Sequence, residues 1–215
     1  MLSRRDRDAI VKKIGEAIDS LVTDLYSSND GAASTIQEPE ISSRLCQRLE
    51  DKLDGEKAGQ YSLRVSAQSM PDRGPRSIEK ISGADIYMSV SLEGPDGFDK
   101  GIFLQAKYDR NLDPSELRDS IRRMKSHVGA EGSYVWVYTP SGLKVLSAHQ
   151  VEQMRSGDIE QVYTRSATGF AGRILDCYAG TRAWGISPGV QRRKVMGERL
   201  RELRVMQGID FELIR

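Results

Sequence analysis

Apolar residues recur every three or four positions in several stretches of the chain, which predicts helices that bury one face. In the first of these stretches Ile10, Ile14 and Ile18 follow one another at steps of four, with charged residues between them. Asp113 directly before Pro114 is typical of a helix N-cap. The predicted helices cover residues 4–26, 39–53, 113–128, 169–180 and 190–207.

Other stretches alternate apolar and polar residues or are apolar throughout, and these predict strands. The turn-rich segment 93–99 joins two of them into an antiparallel hairpin. The order of helix, three strands, helix and further strands indicates the α/β class, with a mixed sheet flanked by helices. The predicted strands cover residues 61–67, 84–92, 101–108, 133–139 and 143–146.

Composition narrows the class of protein. The chain has 215 residues, of which 38% are hydrophobic and 29% charged, so one domain with a core is expected. With 32 basic and 31 acidic residues the net charge is +1, which excludes a uniformly basic nucleic-acid binder. Two cysteines and two histidines exclude zinc fingers and disulfide scaffolds. Without a long apolar run, we expect a cytoplasmic protein with no membrane partner.

Two charged residues stand within apolar strands, where charges are rarely buried unless they are paired or bind a metal. Asp85 opens one strand of the hairpin, and Lys107 lies near the end of the other. Gln105 shares a strand face with Lys107, and the carbonyl of Ala106 lies between them. The ligand set of Asp85, Gln105 and the Ala106 carbonyl, with Glu40 at a helix N-terminus, consists of oxygens, which favours Mg²⁺ or Mn²⁺.

The acidic member from the helix is open to alternatives. Glu38 competes directly with Glu40 for this place, and a first-turn carboxylate is favoured by the helix dipole without any catalytic role. Glu79, in the loop before Asp85, is a further alternative. Asp85 could equally cap a turn, and Lys107 could reach solvent from the end of the sheet.

The pattern of Glu40, Gly83-Ala84-Asp85 and Gln105-Ala106-Lys107, followed by a helix, resembles the PD-(D/E)XK nuclease superfamily. Its Gln-x-Lys form is similar to that of Mrr-type restriction endonucleases and phage-defence nucleases. The resemblance implies a restriction-endonuclease-like α/β/α core. It gives Asp85 the family's metal-binding role, Lys107 the catalytic role and Glu40 that of the acidic helix residue. Gln105 stands where most members carry an acid, and this removes one negative charge.

The resemblance also sets the expected organisation and function. Residues 1–30 would form an N-terminal helix, 38–146 the nuclease core, and 147–215 a C-terminal helical extension packed on it. The expected activity is divalent-metal-dependent hydrolysis of DNA, in prokaryotic anti-phage defence or restriction. An activating or specificity partner, or a homo-oligomer, would control it. The alternative is a weak or inactive member of the same fold that binds DNA or assembles a defence complex. The sequence does not distinguish RNA from DNA as the substrate.

Basic residues on two helices are candidates for contact with DNA phosphates. Arg122 and Arg123 lie on the helix that follows the motif, and Arg192, Arg193 and Lys194 open the last helix. A solvated face is an equally simple interpretation of both groups, and a dimer contact is another for the last helix.

Overall fold

The computed structural model describes residues 2–28, 38–70, 82–95 and 97–215. Within them an eight-stranded mixed sheet lies between helices on both faces, which confirms the α/β class. The linker predicted over 27–34 lies outside the described residues except for its first two, and Glu79 lies outside them entirely.

The helices and strands follow the sequence pattern closely in the first two thirds of the chain. The α-helices are α1 (Arg4–Ser27), α2 (Glu38–Leu53), α3 (Pro114–Val128), α4 (Ala148–Gln153), α5 (Ala167–Leu175) and α6 (Arg192–Leu203). The strands are β1 (Lys57–Ala58), β2 (Tyr61–Ser69), β3 (Ile86–Leu92), β4 (Phe98–Tyr108), β5 (Ser133–Thr139), β6 (Gly142–Ser147), β7 (Arg165–Ser166) and β8 (Gln207–Ile214).

The strand order in the sheet is β1-β2-β8-β3-β4-β5-β6-β7. The predicted hairpin of β3 and β4 is confirmed as an antiparallel pair. Strand β4 then pairs in parallel with β5, and α3 forms the crossover between them. Because parallel strands point the same way, α3 begins at the end of the sheet where β4 finishes.

The expectation of a helical extension over 147–215 is wrong in its last part. Residues 207–214 form β8, which lies between β2 and β3 in the middle of the sheet. Helix α6 ends because Arg204 adopts a left-handed conformation, with φ of 50°. Helix α5 likewise stops at Leu175, short of the predicted 180, and Cys177 beyond it has φ of 64°.

Each face of the sheet carries its own core. Helices α1, α2 and α5 cover one face, where Leu104 and Ala106 of β4 are buried. Helices α3, α4 and α6 cover the other, where Phe103 is buried. Since side chains alternate along a strand, Gln105 and Lys107 belong to the face of Phe103. These two polar residues therefore point to the layer that contains α3.

No helix in the described ranges combines the length and apolar character needed to cross a membrane.

Candidate functional site

Asp85 and Gln105 form a cross-strand pair where β3 and β4 separate. Ile86 faces Leu104 in the ladder, and Asp85 and Gln105 are the next residues outward. The side-chain amide of Gln105 donates to Asp85 Oδ2, and the backbone N–H of Ala106 donates to the same oxygen at 2.9 Å. Asp85 is 8% exposed and Gln105 3%. The carboxylate thus takes the place of a strand partner for the Ala106 N–H.

Three of the four groups predicted as metal ligands meet here: the Asp85 carboxylate, the Gln105 amide and the Ala106 carbonyl. Gln105 Nε2 lies 3.5 Å from the Ala106 carbonyl oxygen and also donates to Asp85. Rotation of the amide about its last bond would turn Oε1 toward the carboxylate, an arrangement that a cation between the oxygens would stabilise. One carboxylate, one amide and one carbonyl suit Mg²⁺, which keeps several waters and adds phosphate ligands.

The number of acidic ligands is small. Among the described residues there is no group of three or more histidine, cysteine, aspartate or glutamate side chains placed to hold a metal ion. Of the two predicted carboxylates, Asp85 lies at the site. The other predicted ligand oxygens there, from Gln105 and the Ala106 carbonyl, are neutral. A metal bound here would therefore depend strongly on waters and on substrate oxygens.

Lys107 lies at the end of β4 between two carboxylates from different helices. Its ammonium is 3.3 Å from Glu38 Oε2, at the start of α2, and 2.7 Å from Glu116 Oε1, in the first turn of α3. Burial disfavours the charge of Lys107, but the bonds to Glu116 and Glu38 outweigh it and raise the pKa above the ordinary 10.5. At neutral pH the side chain is therefore positively charged, and the two carboxylates fix its position.

Glu40 is not part of this site. It is 48% exposed and forms an ion pair with Arg44 one helical turn along α2. Glu38, the alternative to Glu40, lies at the site instead. Its carboxylate accepts hydrogen bonds from Lys107 and, at 3.3 Å, from the backbone N–H of Tyr108. The helical phase explains why Glu38 and not Glu40 faces Lys107. Glu38 precedes the buried Ile41 by three residues and so lies on the same side of α2 as the buried residues.

Glu116 is a site residue that the sequence analysis missed. The predicted N-cap Asp113 is confirmed and accepts from the backbone N–H of Ser115 at 2.7 Å and of Glu116 at 3.4 Å. This cap fixes the first turn of α3 directly beyond β4. An acid in that turn, on the helix following Lys107, was the signal that could have identified it.

The two arginines of α3 that are candidates for contact with DNA have different surroundings. A Cβ added to Gly83 would lie 3.0 Å from Arg123 Cβ and 2.6 Å from the Ser120 carbonyl oxygen. Arg123 therefore stands against the segment that leads into Asp85, and its side chain is exposed. Arg122 is exposed and pairs with Asp119 at 3.0 Å. Arg123 is the DNA-contact candidate of this pair that adjoins the site.

The basic residues of α6 lie elsewhere. Arg192 is 8% exposed and binds Asp210 with two bonds, so its prediction as a phosphate contact is wrong. Asp210 is level with Ser89, four residues along β3 from Asp85, or about 13 Å at the rise of a strand. Arg193 pairs with Glu50, and Lys194 is exposed. Any phosphate contact by Arg193 or Lys194 would be remote from Asp85.

The buried cluster around Arg192 has an evident structural function. Burial raises the pKa of Asp210, while the Arg192 guanidinium opposes that rise. Glu212 lies 3.4 Å from the same guanidinium and also pairs with Arg64 at 3.0 Å. Arg192 also donates to the carbonyls of Ile186 and Ser187. The cluster joins α6 to β8.

Comparison of this chain with protein-family models, curated proteins and solved structures finds no match.

Proposed function

We propose that this chain is a divalent-metal-dependent nuclease that hydrolyses phosphodiester bonds of DNA. The observation that carries the proposal is the convergence of Asp85, Gln105 and the Ala106 carbonyl where β3 and β4 separate, with Lys107 two residues beyond Gln105 on the same strand face. A buried carboxylate, neutral oxygen donors and an ammonium fixed farther along the same strand suit metal-dependent phosphodiester hydrolysis. The sequence resemblance to PD-(D/E)XK nucleases supports the same activity and a role in prokaryotic anti-phage defence.

Asp85, Gln105 and the Ala106 carbonyl would hold Mg²⁺ or Mn²⁺. When bound, such an ion would polarise the phosphate and lower the pKa of a bound water. Lys107 remains protonated at neutral pH, so it orients a water or a phosphate oxygen by hydrogen bonding and is not a general base. Glu38 and Glu116 fix the position of its ammonium and balance its charge before substrate arrives. Arg123, beside Gly83, is a candidate for a phosphate contact.

One observation favours a second candidate function, that of a DNA-binding or assembly subunit with weak or absent catalysis. Asp85 is the single acidic residue of the predicted ligand set that lies at the site. Gln105 is neutral, and Glu40 pairs with Arg44 on the surface of α2. Such a protein would bind nucleic acid without taking up a metal. In either case a partner protein or self-association is proposed to control the chain.

Plasmid cleavage by the purified protein tests the nuclease proposal. Supercoiled DNA is incubated with Mg²⁺, Mn²⁺ or EDTA, using wild type, Asp85→Asn and Lys107→Ala. We expect metal-dependent nicking or linearisation by wild type and a loss of about a hundredfold or more in each variant. Single-stranded RNA in a parallel reaction separates the two polymers.

The matched control is Lys125→Ala. Lys125 lies on α3 and forms a surface ion pair with Glu152, so it resembles Lys107 in chemistry but not in position. Its removal should leave cleavage unchanged. Cleavage by Lys107→Ala equal to wild type would overturn the site. Folded wild type that neither cleaves DNA nor takes up Mg²⁺ in calorimetry with DNA present would favour the binding subunit.

A further inference from the structure

A cleft with both polar and apolar lining lies on the flank of α3, outside the residues assigned to the proposed site. It has a volume of about 340 Å³ and is formed by α4 and the segment 154–163. Its lining includes Gln150, Gln153 and Gln161 together with Arg155, Met154 and Tyr163, and none of the described lining residues is acidic. Amides that both donate and accept hydrogen bonds, beside apolar and aromatic surface, match the edge and face of a nucleobase.

Tyr163 is the most exposed of the large hydrophobic side chains described, at 72%. The Arg165 guanidinium lies 5.4 Å from the ring centroid. The backbone next to it is fixed, because Gln150 donates to the Tyr163 carbonyl and accepts from the N–H of Ser147. The ring is thus held at the cleft by its backbone while its surface stays open to solvent.

The segment that forms the cleft is bound to the same part of α3 that serves Lys107. Arg118 donates to the Met154 carbonyl at 2.8 Å, two residues after Glu116. A Cβ added to Gly157 would lie 2.2 Å from the Leu112 carbonyl oxygen, so the segment packs directly against the link between β4 and α3. Ser156, which lines the cleft, therefore neighbours the link that leads from β4 to α3.

We propose that this cleft binds an unstacked nucleobase of a single-stranded segment, with Tyr163 as the stacking surface and the amides of Gln153 and Gln161 at the base edge. The proposal rests on the proposed function for its substrate class. Aromatic stacking is the usual means of holding single strands without reading sequence, because every base has a π-face. The cleft would thereby favour substrates with locally separated strands.

Binding in EDTA tests the proposal without any cleavage. Fluorescence anisotropy is measured with a labelled single-stranded oligonucleotide and with its duplex, using wild type, Tyr163→Ala and Tyr163→Phe. We expect Tyr163→Ala to weaken single-strand binding about tenfold, and Tyr163→Phe to bind within about threefold of wild type, since the ring is retained. Duplex binding should change less.

Tyr178→Ala is the matched control. Tyr178 is 66% exposed and lies under Arg173 at 5.5 Å, so it repeats the chemistry of Tyr163 at another place. Equal losses in the two alanine variants, or no loss in Tyr163→Ala, would overturn the proposal. Adenosine monophosphate binding as tightly as the oligonucleotide would also overturn it, by assigning the cleft to a free nucleotide.

The test separates this inference from the nuclease proposal. Tyr163-dependent binding by a protein that neither cleaves DNA nor takes up Mg²⁺ would support the cleft and contradict the nuclease. Metal-dependent cleavage by a protein whose single-strand binding is unchanged in Tyr163→Ala would support the nuclease and contradict the cleft.

Discussion

Asp85 and Gln105 face one another across β3 and β4, and the amide of Gln105 donates to the carboxylate of Asp85. Gln105 therefore provides a hydrogen bond to the Asp85 carboxylate and also lies where a metal ligand is predicted. This relationship makes the site stable without a cation, which a pair of carboxylates at the same depth would not be.

Gln105→Glu should convert the site into one that requires a cation for stability. Two buried carboxylates would then repel one another, and we expect a loss of about 1–3 kcal/mol in EDTA, or roughly 2–4 °C in Tm per kcal/mol. Excess Mg²⁺ should restore most of that loss. Thermal unfolding with and without metal measures both effects. The control Gln153→Glu, at an exposed position, should show neither.

Glu38→Gln and Glu40→Gln should differ sharply in activity. Glu38 holds Lys107 and the Tyr108 N–H, so its loss should lower cleavage at least tenfold through a misplaced ammonium. Glu40→Gln removes a surface pair worth about 0.3–0.5 kcal/mol and should cleave within twofold of wild type. Initial rates of plasmid nicking compare the two. A larger effect of Glu40→Gln would contradict the assignment.

Arg192→Met should destabilise the fold far more than Arg193→Met. The first leaves Asp210 and Glu212 buried without their shared cation, at a cost of about 3–5 kcal/mol. The second breaks a pair in which the arginine side chain is 68% exposed, worth less than about 1 kcal/mol. Urea unfolding gives both values. Similar losses would show that the cluster around Arg192 is not a buried network.

Lys107 should contribute to stability in a pH-dependent way. Its pKa is raised on folding, so the contribution is complete below 10.5 and is lost as the pH rises through the folded value. The difference in unfolding free energy between wild type and Lys107→Met should stay constant from about pH 8 to 10 and shrink above that range. Other lysines and tyrosines titrate in both proteins and cancel. A difference that grows with pH would contradict the ion pairs.

The two cysteines should react very differently with a thiol reagent. Burial raises the pKa of Cys46 to about 12, whereas Cys177 is exposed. The native protein should therefore release about one equivalent of chromophore from a disulfide reagent at pH 8, and the unfolded protein two. Cys177→Ser should abolish the native reaction. Two fast equivalents from native protein would show that α2 does not pack as described.

Local patterns predicted most of the fold, because period and turn chemistry are read directly from neighbouring residues. The hairpin of β3 and β4 and the Asp113 cap are confirmed for that reason. Strand β8 was missed although Ile209, Phe211 and Leu213 alternate, because its acidic residues suggest an exposed segment. Arg192, 18 residues before Asp210, makes that burial possible, and sequence alone does not reveal such a pairing.

The site was predictable to the extent that strand pairing creates it. The hairpin register places Asp85 opposite Gln105, and strand alternation puts Lys107 on the same face two residues further along β4. Helical phase relative to Ile41 distinguishes Glu38 from Glu40, and that signal was present in the sequence. The approach of α3 that brings Glu116 to Lys107 depends on how the crossover packs on the sheet, which local pattern does not specify.

The placement of β8 has a consequence for how the protein is made. Residues 207–214 leave the ribosome roughly a hundred residues after β4, which at about 5–20 residues per second is a delay of about 5–20 s. During that interval β2 and β3 have no strand between them, and their facing edges are unpaired. The nascent chain therefore carries Asp85 on an unfinished sheet, and the sheet around it is completed only when β8 has been made.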